Sequence, residues 1–565
     1  MCFISVTSSA QTIDKIKLEK RLDSIFSSFN KNTPGVAVTV IENGKVIAKK
    51  AYGLASLEHM VPFTHNTVVR LPYSEGREFI SIAAVLMERE GLLSLEDKVR
   101  KYFPKLPAWA EPVSIWDLLN HRSGFADEWD AVLLTQASMG NRFDVSQFLN
   151  LLYTQPKEEV VPGKGYMYSN SDFGLLRLLL EKASGENLRD WMKQKMFDPL
   201  GMKATLLHDN ANEVIPNYAL KYSPVANRKF SSITNDKTSP GGNYHIATTA
   251  NDLERWAAVL AEKNSEISKA AKRLMNNAQL MPGAGKNFVF GYKLRNDNGN
   301  TIILHQGVNN FTYMSRIPEK NLAIIVFGNL ITEYENYHKN IRQTVLKTPA
   351  ATTFTNKRFT VTPVAYSKKE LEQFAGRYID EDTVTFESFV KAKKNITHFF
   401  IEHDSLKLRL GNNIIPFVPV AKNVFKIQHY ELYIEFLPSN EGLMRFSAHD
   451  HPQKKIYNSI KDTLSTWKPS KELLASFTGK YYSRHLDFYW TIVQNEEGKL
   501  VIKRPTIADT GLEPETENEF LLIFENYPGA PQESWVRFHK DGGKITHFTV
   551  WHPRPVFDIG TPKAH

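Results

Sequence analysis

The chain has 565 residues, too many for one hydrophobic core, so roughly two to four domains are expected. Its 42% hydrophobic and 23% charged content is that of an ordinary globular protein, and no apolar run approaches the roughly 18 residues that span a bilayer. The single cysteine, Cys2, excludes internal disulfides and cysteine-based metal sites. The net charge of +9 comes without a Lys/Arg cluster, a zinc spacing or an RNA-binding motif, so a solvated basic surface is expected and nucleic acid is not an expected partner.

The first residues, Met1 to Gln11, resemble the tail of a secretory signal: a short apolar patch and then small residues ending in Ala10. The positive leading region is missing and the patch is short. The expectation is an exported protein, periplasmic or secreted, with residues 1–13 a remnant of the signal. From Asp14 to Phe29, Ile16, Leu18, Leu22, Ile25 and Phe26 recur at helical spacing. Val36 to Lys49 reads as a hairpin, because two β-rich runs flank Asn43-Gly44.

Next comes Leu71-Pro72-Tyr73-Ser74-Glu75-Gly76-Arg77, leading into an apolar helix from Phe79 to Gly91. A helix apolar all round is expected to be buried, and its N-terminal dipole favours developing negative charge. Ser74 offers a hydroxyl where that helix should begin, and Arg77 a cation one turn later. Leu118 to Phe125 is a polar turn containing His121 and Ser123. Pro162-Gly163 introduces Tyr168-Ser169-Asn170, followed by a second apolar helix from Phe173 to about Ala183 and another from Leu188 to Met196. Gly241-Gly242 marks a loop before a helix at 248–261. Strand-like runs follow at 288–294, 301–304, 312–317 and 322–327, with His305-Gln306-Gly307 at a turn between two of them. A hairpin, many helices and then several strands predict an α+β domain, an antiparallel sheet flanked by helices, over residues 14–345.

Residues 346–367 read as a linker. Beyond it the 12% aromatic content is concentrated in short alternating runs, and Leu371-Glu372-Gln373-Phe374-Ala375-Gly376-Arg377-Tyr378 recurs as Leu474-Ala475-Ser476-Phe477-Thr478-Gly479-Lys480-Tyr481. Two similar all-β, barrel-like modules are expected, at 368–467 and 468–565.

Three polar clusters, Ser74/Arg77, Tyr168/Asn170 and His305/Gly307, lie far apart in sequence, so only a fold could unite them. Their order and surroundings carry a resemblance. Glu90 to Val99 with Tyr102-Phe103-Pro104, Leu118 to Gly124, Pro162-Gly163 through Asn170, Pro199 to Met202, and His305 to Gly307 resemble the serine β-lactamase and penicillin-binding-protein superfamily, in its class C β-lactamase-like group of esterases and D-peptidases. The resemblance covers roughly residues 20–345, and the C-terminal modules resemble lipocalin-like barrels appended to some of these hydrolases. It implies a fold and a set of roles. Ser74 would attack a carbonyl and form an acyl-enzyme, and Tyr168 would take its proton. Asn170 would hydrogen-bond the substrate or residue 77. His305 and Gly307 would match the third motif on a strand edge. The backbone N–H groups of Ser74 and of a residue near Asn309 would form the oxyanion hole. No metal or cofactor is implied, and the partner is a small-molecule or peptide substrate: an ester or amide, including D-amino-acid peptides and β-lactam-like compounds.

Arg77 is the departure, since the family has Lys there. A buried Lys can give up its proton, whereas a guanidinium stays charged. Arg77 could still act as a fixed cation beside Tyr168. Two readings therefore stand: a serine hydrolase, or a catalytically silent relative that binds a peptidoglycan-like or acylated ligand. His121 and Ser123 suggest a Ser/His pair, but the family context makes them a structural turn.

Overall fold

The computed structural model describes residues 15–560 except 72, 129, 132–143, 157–160, 211, 226–228, 234–244, 278–286, 298–299, 307–310, 333, 347–363, 381–395, 403, 411–412, 428–431, 439–443, 451–455, 462–466, 484–485, 487, 505–506, 525–531 and 552–556. Gly241, Gly242, Gly307, Asn309, Cys2 and most of the expected linker thus lie outside the described residues, as do the side chains of Tyr73, Ser74 and Glu75. The chain divides into two compact units that interleave in sequence. One comprises the chain up to Tyr102, Ser114–Asn120 and Phe173–Thr353; the other comprises Phe103–Val113, His121–Asp172 and Phe354–His565.

The first unit is built on a seven-stranded antiparallel sheet. Its strands are β1 (Val36–Glu42), β2 (Lys45–Tyr52), β3 (Asn287–Val289), β4 (Tyr292–Asp297), β5 (Asn300–Gln306), β6 (Thr312–Ile317) and β7 (Leu322–Gly328), in the order β3-β4-β5-β6-β7-β1-β2. The β1–β2 hairpin turns on Asn43 and Gly44, both at positive φ (51° and 72°), as the Asn-Gly dipeptide predicts. Residues expected as one strand over 288–294 form a hairpin instead. Phe290 and Gly291 make its turn, at φ of 53° and 82°. A bulky aromatic at positive φ is uncommon, so the β-rich composition hid the break.

Strand alternation sorts the side chains onto two faces. On one face Val36, Val38, Val40, Ile302, Leu304, Tyr313, Ile324 and Val326 form a single core with Leu18, Leu22 and Phe26 of the Lys15–Ile25 helix and its end, and with Tyr334, Ile341 and Val345 of the Tyr334–Leu346 helix. Burying each such side chain stabilises the fold by about 1.5–3 kcal/mol. Residues one position out of phase face the other way. β7 is buried along its whole length, because both faces of the sheet are covered. The Tyr73–Arg89 helix has Phe79, Ile80, Ile82, Ala83, Ala84, Val85 and Met87 fully buried, as its all-round apolarity predicts. It begins six residues earlier than the apolar run at Phe79.

The second unit contains the Val145–Tyr153 helix, capped by Asp144 and Gln147, and two closed eight-stranded antiparallel barrels. The first runs from Gly376 to Lys461 and closes where Tyr378 pairs with Lys461; the second runs from Gly479 to Gly560 and closes where Tyr482 pairs with Gly560. The sequence repeat has a structural counterpart. Tyr378 donates its hydroxyl to the Phe374 carbonyl at 3.0 Å, and Tyr481 makes the same bond to Phe477 at 3.0 Å. The Phe374 ring lies tilted 4.8 Å from that of Phe436, and the Phe477 ring edge-on 4.9 Å from that of Phe538. An eight-stranded barrel is just wide enough for side chains to fill, and both repeats supply aromatics to do so. Among the described residues, no helix is long and apolar enough to cross a membrane.

Candidate active site

In the first unit, residues 74, 77 and 78 share one face of the Tyr73–Arg89 helix, Ser74 lying in its first turn. Arg77 is fully buried, with its guanidinium carbon 4.9 Å from the centre of the Phe173 ring. The β3–β4 turn presses on the helix at this point. A Cβ added at Gly291 would lie 2.6 Å from the Glu78 nitrogen and 2.7 Å from the Arg77 Cβ. Ser81 fixes the same turn by donating its hydroxyl to the Phe290 carbonyl at 3.3 Å.

Glu78, which the sequence reading passed over, is the polar centre of this unit. It is completely buried. Its Oε1 accepts hydrogen bonds from Trp256 Nε1 (3.1 Å), Tyr292 OH (2.8 Å) and Arg316 Nη2 (3.2 Å). Its Oε2 lies 2.6 Å from His305 Nδ1. The strand registers explain this convergence. His305 pairs directly with Met314 across β5–β6, and Ile303 pairs with Leu294 and Arg316. Residues 292, 294, 303, 305, 314 and 316 therefore fall on one face of the sheet, opposite the face that carries Leu304 and Tyr313. Burial alone would push the Glu78 carboxyl up. The Arg316 charge, then the bonds and charge of His305 and the bond from Tyr292, outweigh it and hold the carboxyl down at about 2. Burial and Glu78 together push the Tyr292 phenol well above its ordinary value, so it remains a donor.

An ionised carboxylate only accepts, so the proton in the Glu78–His305 bond sits on Nδ1. His305 is itself buried, and among the described residues its Nε2 has no hydrogen-bond partner.

In the second unit, His121 lies at a turn with φ of 54°. Its carbonyl accepts from Met167 N (2.7 Å), and the Arg122 carbonyl from Gly163 N (2.9 Å), which zips this turn to the segment leading to Tyr168. Tyr168 is half-buried, its ring 4.7 Å from that of His121. Buried Asp172 accepts from His121 Nδ1 at 3.0 Å on one oxygen and from the Ser123 hydroxyl on the other. His121 and Ser123 thus share a carboxylate and brace a turn, which agrees with the structural reading of these two residues. Asn170 begins the Asn170–Ser184 helix. It donates its backbone N–H to Asp127 Oδ2 (3.0 Å) and its side-chain amide to both Asp127 oxygens (3.1 and 2.9 Å).

The fold therefore gathers the Ser74/Arg77 helix and His305 in one unit, linked through Glu78, and gathers Tyr168 and Asn170 with His121 in the other. Gly307 and Asn309 lie outside the described residues. Sequence reasoning missed Glu78, Tyr292, Trp256 and Arg316, and also Asp127 and Asp172. One signal was present for Glu78: a carboxylate beside an unbroken apolar helical run is rarely left buried without partners. Among the described residues no cluster of His, Cys, Asp or Glu could hold a metal ion.

A family model described as Beta-lactamase matches residues 22–346. The chain is 29% identical over 281 residues to a D-aminopeptidase from Brucella anthropi, a match that covers 49% of this chain and 52% of that protein. It thus spans about half the length of that curated relative. It is 27% identical over 341 residues to penicillin-binding protein 4* of Bacillus subtilis (strain 168), covering 56% of this chain and 73% of that one. In fold it is similar to an octameric penicillin-binding protein homologue from Pyrococcus abyssi, with a TM-score of 0.53 at 21% identity, covering 80% of this chain and all of that one.

Proposed function

This chain belongs to the beta-lactamase family of serine hydrolases, and from that premise we propose that it hydrolyses an ester or amide through an acyl-enzyme on Ser74. D-amino-acid peptides and β-lactam-like compounds are the substrate classes its relatives suggest. The observation that carries the reading is positional. The family match spans residues 22–346, from before Ser74 to beyond His305, and residue 74 falls in the first turn of a buried helix. The dipole at the start of a helix favours the negative charge that develops on attack.

In this reading Ser74 Oγ attacks the carbonyl carbon, Tyr168 takes part in removing its proton, and Asn170 with the strand edge at His305 and Gly307 holds the substrate. Backbone N–H groups at Ser74 and near Asn309 stabilise the oxyanion. Arg77 is a fixed cation and not a base, because its guanidinium cannot release a proton at working pH. One observation favours a second reading, a silent protein that binds an acylated or peptidoglycan-like ligand: that same arginine, buried against Phe173.

A fluorophosphonate or β-lactam probe separates the two. The hydrolase reading expects a covalent adduct on Ser74 by mass spectrometry and turnover of a p-nitrophenyl ester. Absence of both would sink it.

A further inference from the structure

We propose that His121 is a positioning residue for Tyr168: its ring, held by the buried carboxylate of Asp172, is the wall that keeps the phenol in a single orientation. The proposal rests on the reading in which Tyr168 takes part in removing the serine proton. Its geometric grounds lie wholly within the second unit and are independent of that reading.

Tyr168 has little of its own to hold it. It sits on irregular backbone, two residues before the Asn170–Ser184 helix, and is only half-buried. A side chain there has several staggered rotamers open to it, and a group that handles a proton must be held within about half an ångström of its working place. The fold supplies the restraint from another segment. Met167 donates its backbone N–H to the His121 carbonyl at 2.7 Å, and Asn170 donates its own to Asp127 at 3.0 Å, which fixes the chain on either side of Tyr168. The Tyr168 ring itself meets the His121 ring, 4.7 Å away and tilted by 39°. Tyr166 stands edge-on to the same imidazole, at 6.0 Å and 87°. The plane of that imidazole is set by its bond from Nδ1 to Asp172 at 3.0 Å, and Asp172 is pinned in turn by the Ser123 hydroxyl. His121, Ser123 and Asp172 are each 1% exposed or less, so water does not compete for these bonds.

The backbone sharpens the point. His121 sits at a φ of 54°, a left-handed conformation that glycine or asparagine enters more readily than histidine. Either would serve better in a turn that only had to reverse the chain. What a histidine adds is a flat ring against Tyr168. Asparagine is therefore the discriminating substitution. Its Nδ2 is joined to Cγ as the imidazole Nδ1 is, so His121→Asn can keep the turn and the bond to Asp172 while removing the ring.

The test is a double-mutant cycle on the full-length protein, read as the saturating rate of fluorophosphonate labelling of Ser74. His121→Asn should slow that rate about 10- to 100-fold, the loss expected of a misplaced catalytic group, without raising the probe concentration that half-saturates it. In a Tyr168→Phe background, where the group being positioned is already gone, the same change should slow labelling no further. Equal slowing in both backgrounds would make His121 merely structural and overturn the proposal, as would no slowing in either. Carbon-13 NMR of protein labelled at tyrosine Cζ, which lies on the ring axis and is blind to ring flips, needs no reaction. Tyr168→Phe assigns the signal. The wild type should give one narrow line for Tyr168, and His121→Asn should broaden or split it. A line already broad or split in the wild type, or one that stays single and narrow in His121→Asn, overturns the proposal. Wild-type protein that never labels Ser74, or that labels at an unchanged rate in Tyr168→Phe, would count against the acyl-transfer reading, and the NMR lines would then decide the positioning of Tyr168 by themselves.

Discussion

At the scale of single residues, Glu78 is where burial and charge are most finely balanced. Its partners Trp256, Tyr292 and Arg316 lie 178, 214 and 238 residues away in sequence. That distance is why the sequence could not place it. Read locally, Glu78 beside Arg77 is an ordinary polar pair on a helix, and only the sheet behind it makes the carboxylate buried. Ser74, Arg77 and His305 were legible because a motif marks them, whereas no motif marks the groups that hold them. The carboxyl is held at about 2, below its ordinary 4.5. A group held down in this way contributes stability that is present above about pH 4.5 and is lost as pH falls toward 2. Arg316→Leu should remove the charge that offsets burial and cost about 3–5 kcal/mol at neutral pH. The deficit should shrink as the pH is lowered to about 4, because Glu78 can then take up a proton and no longer needs the cation. Urea unfolding of both proteins at pH 7.5 and pH 4 measures the difference. An equal deficit at both values would show that Arg316 acts by packing and not through the Glu78 charge.

At the scale of elements, local chemistry announced what it governs. Asn43-Gly44 specified a hairpin turn, and the strands at 312–317 and 322–328 were readable from their apolar, β-branched runs. The β3–β4 turn was not, because Phe290 and Gly291 interrupt a run that otherwise reads as one strand. Yet this turn does more than reverse the chain. With no side chain at 291, it can lie against the backbone of residues 77 and 78, at the level of the helix where the candidate site is assembled. Gly291→Ala would meet two obstacles: a φ of 82°, which an L-residue adopts at a cost of roughly 1–2 kcal/mol, and a Cβ 2.6 Å from the Glu78 nitrogen. A loss of about 2 kcal/mol or more is expected, together with slower Ser74 labelling, since the helix must shift to make room. Asn43→Ala, also at positive φ but in an exposed turn remote from the helix, is the control: it should lose stability without slowing the labelling. Equal effects on labelling from the two changes would show that contact with the helix is not what matters at position 291.

At the scale of the whole molecule, the sequence showed where character changes from mixed helices and strands to aromatic-rich strands, and the repeat showed that the second character occurs twice. It did not show closure, because the pairing of first and last strands joins residues that no local pattern connects. Closure has an energetic consequence. Each barrel satisfies its backbone hydrogen bonds without an open sheet edge and fills its interior with its own rings. In the first, Phe436 lies within 6.0 Å of Phe374, Tyr378, Phe399, Phe425 and Phe446, and it is fully buried. Phe436→Ala should leave a void that the surrounding rings cannot close, at a cost of about 3–5 kcal/mol. A chain of several domains need not unfold in one step, so the loss should be local. Calorimetry should show one transition lowered by roughly 10 °C or more, the shift expected for a domain of about 100 residues, with the remaining transitions in place. Fluorophosphonate labelling of Ser74 at 25 °C should be unchanged, because the ring belongs to a core that closes on itself and contributes nothing to the Glu78 cluster. If every transition fell together, the first barrel would not be a separate folding unit, and its aromatic core would be stabilising the protein as a whole.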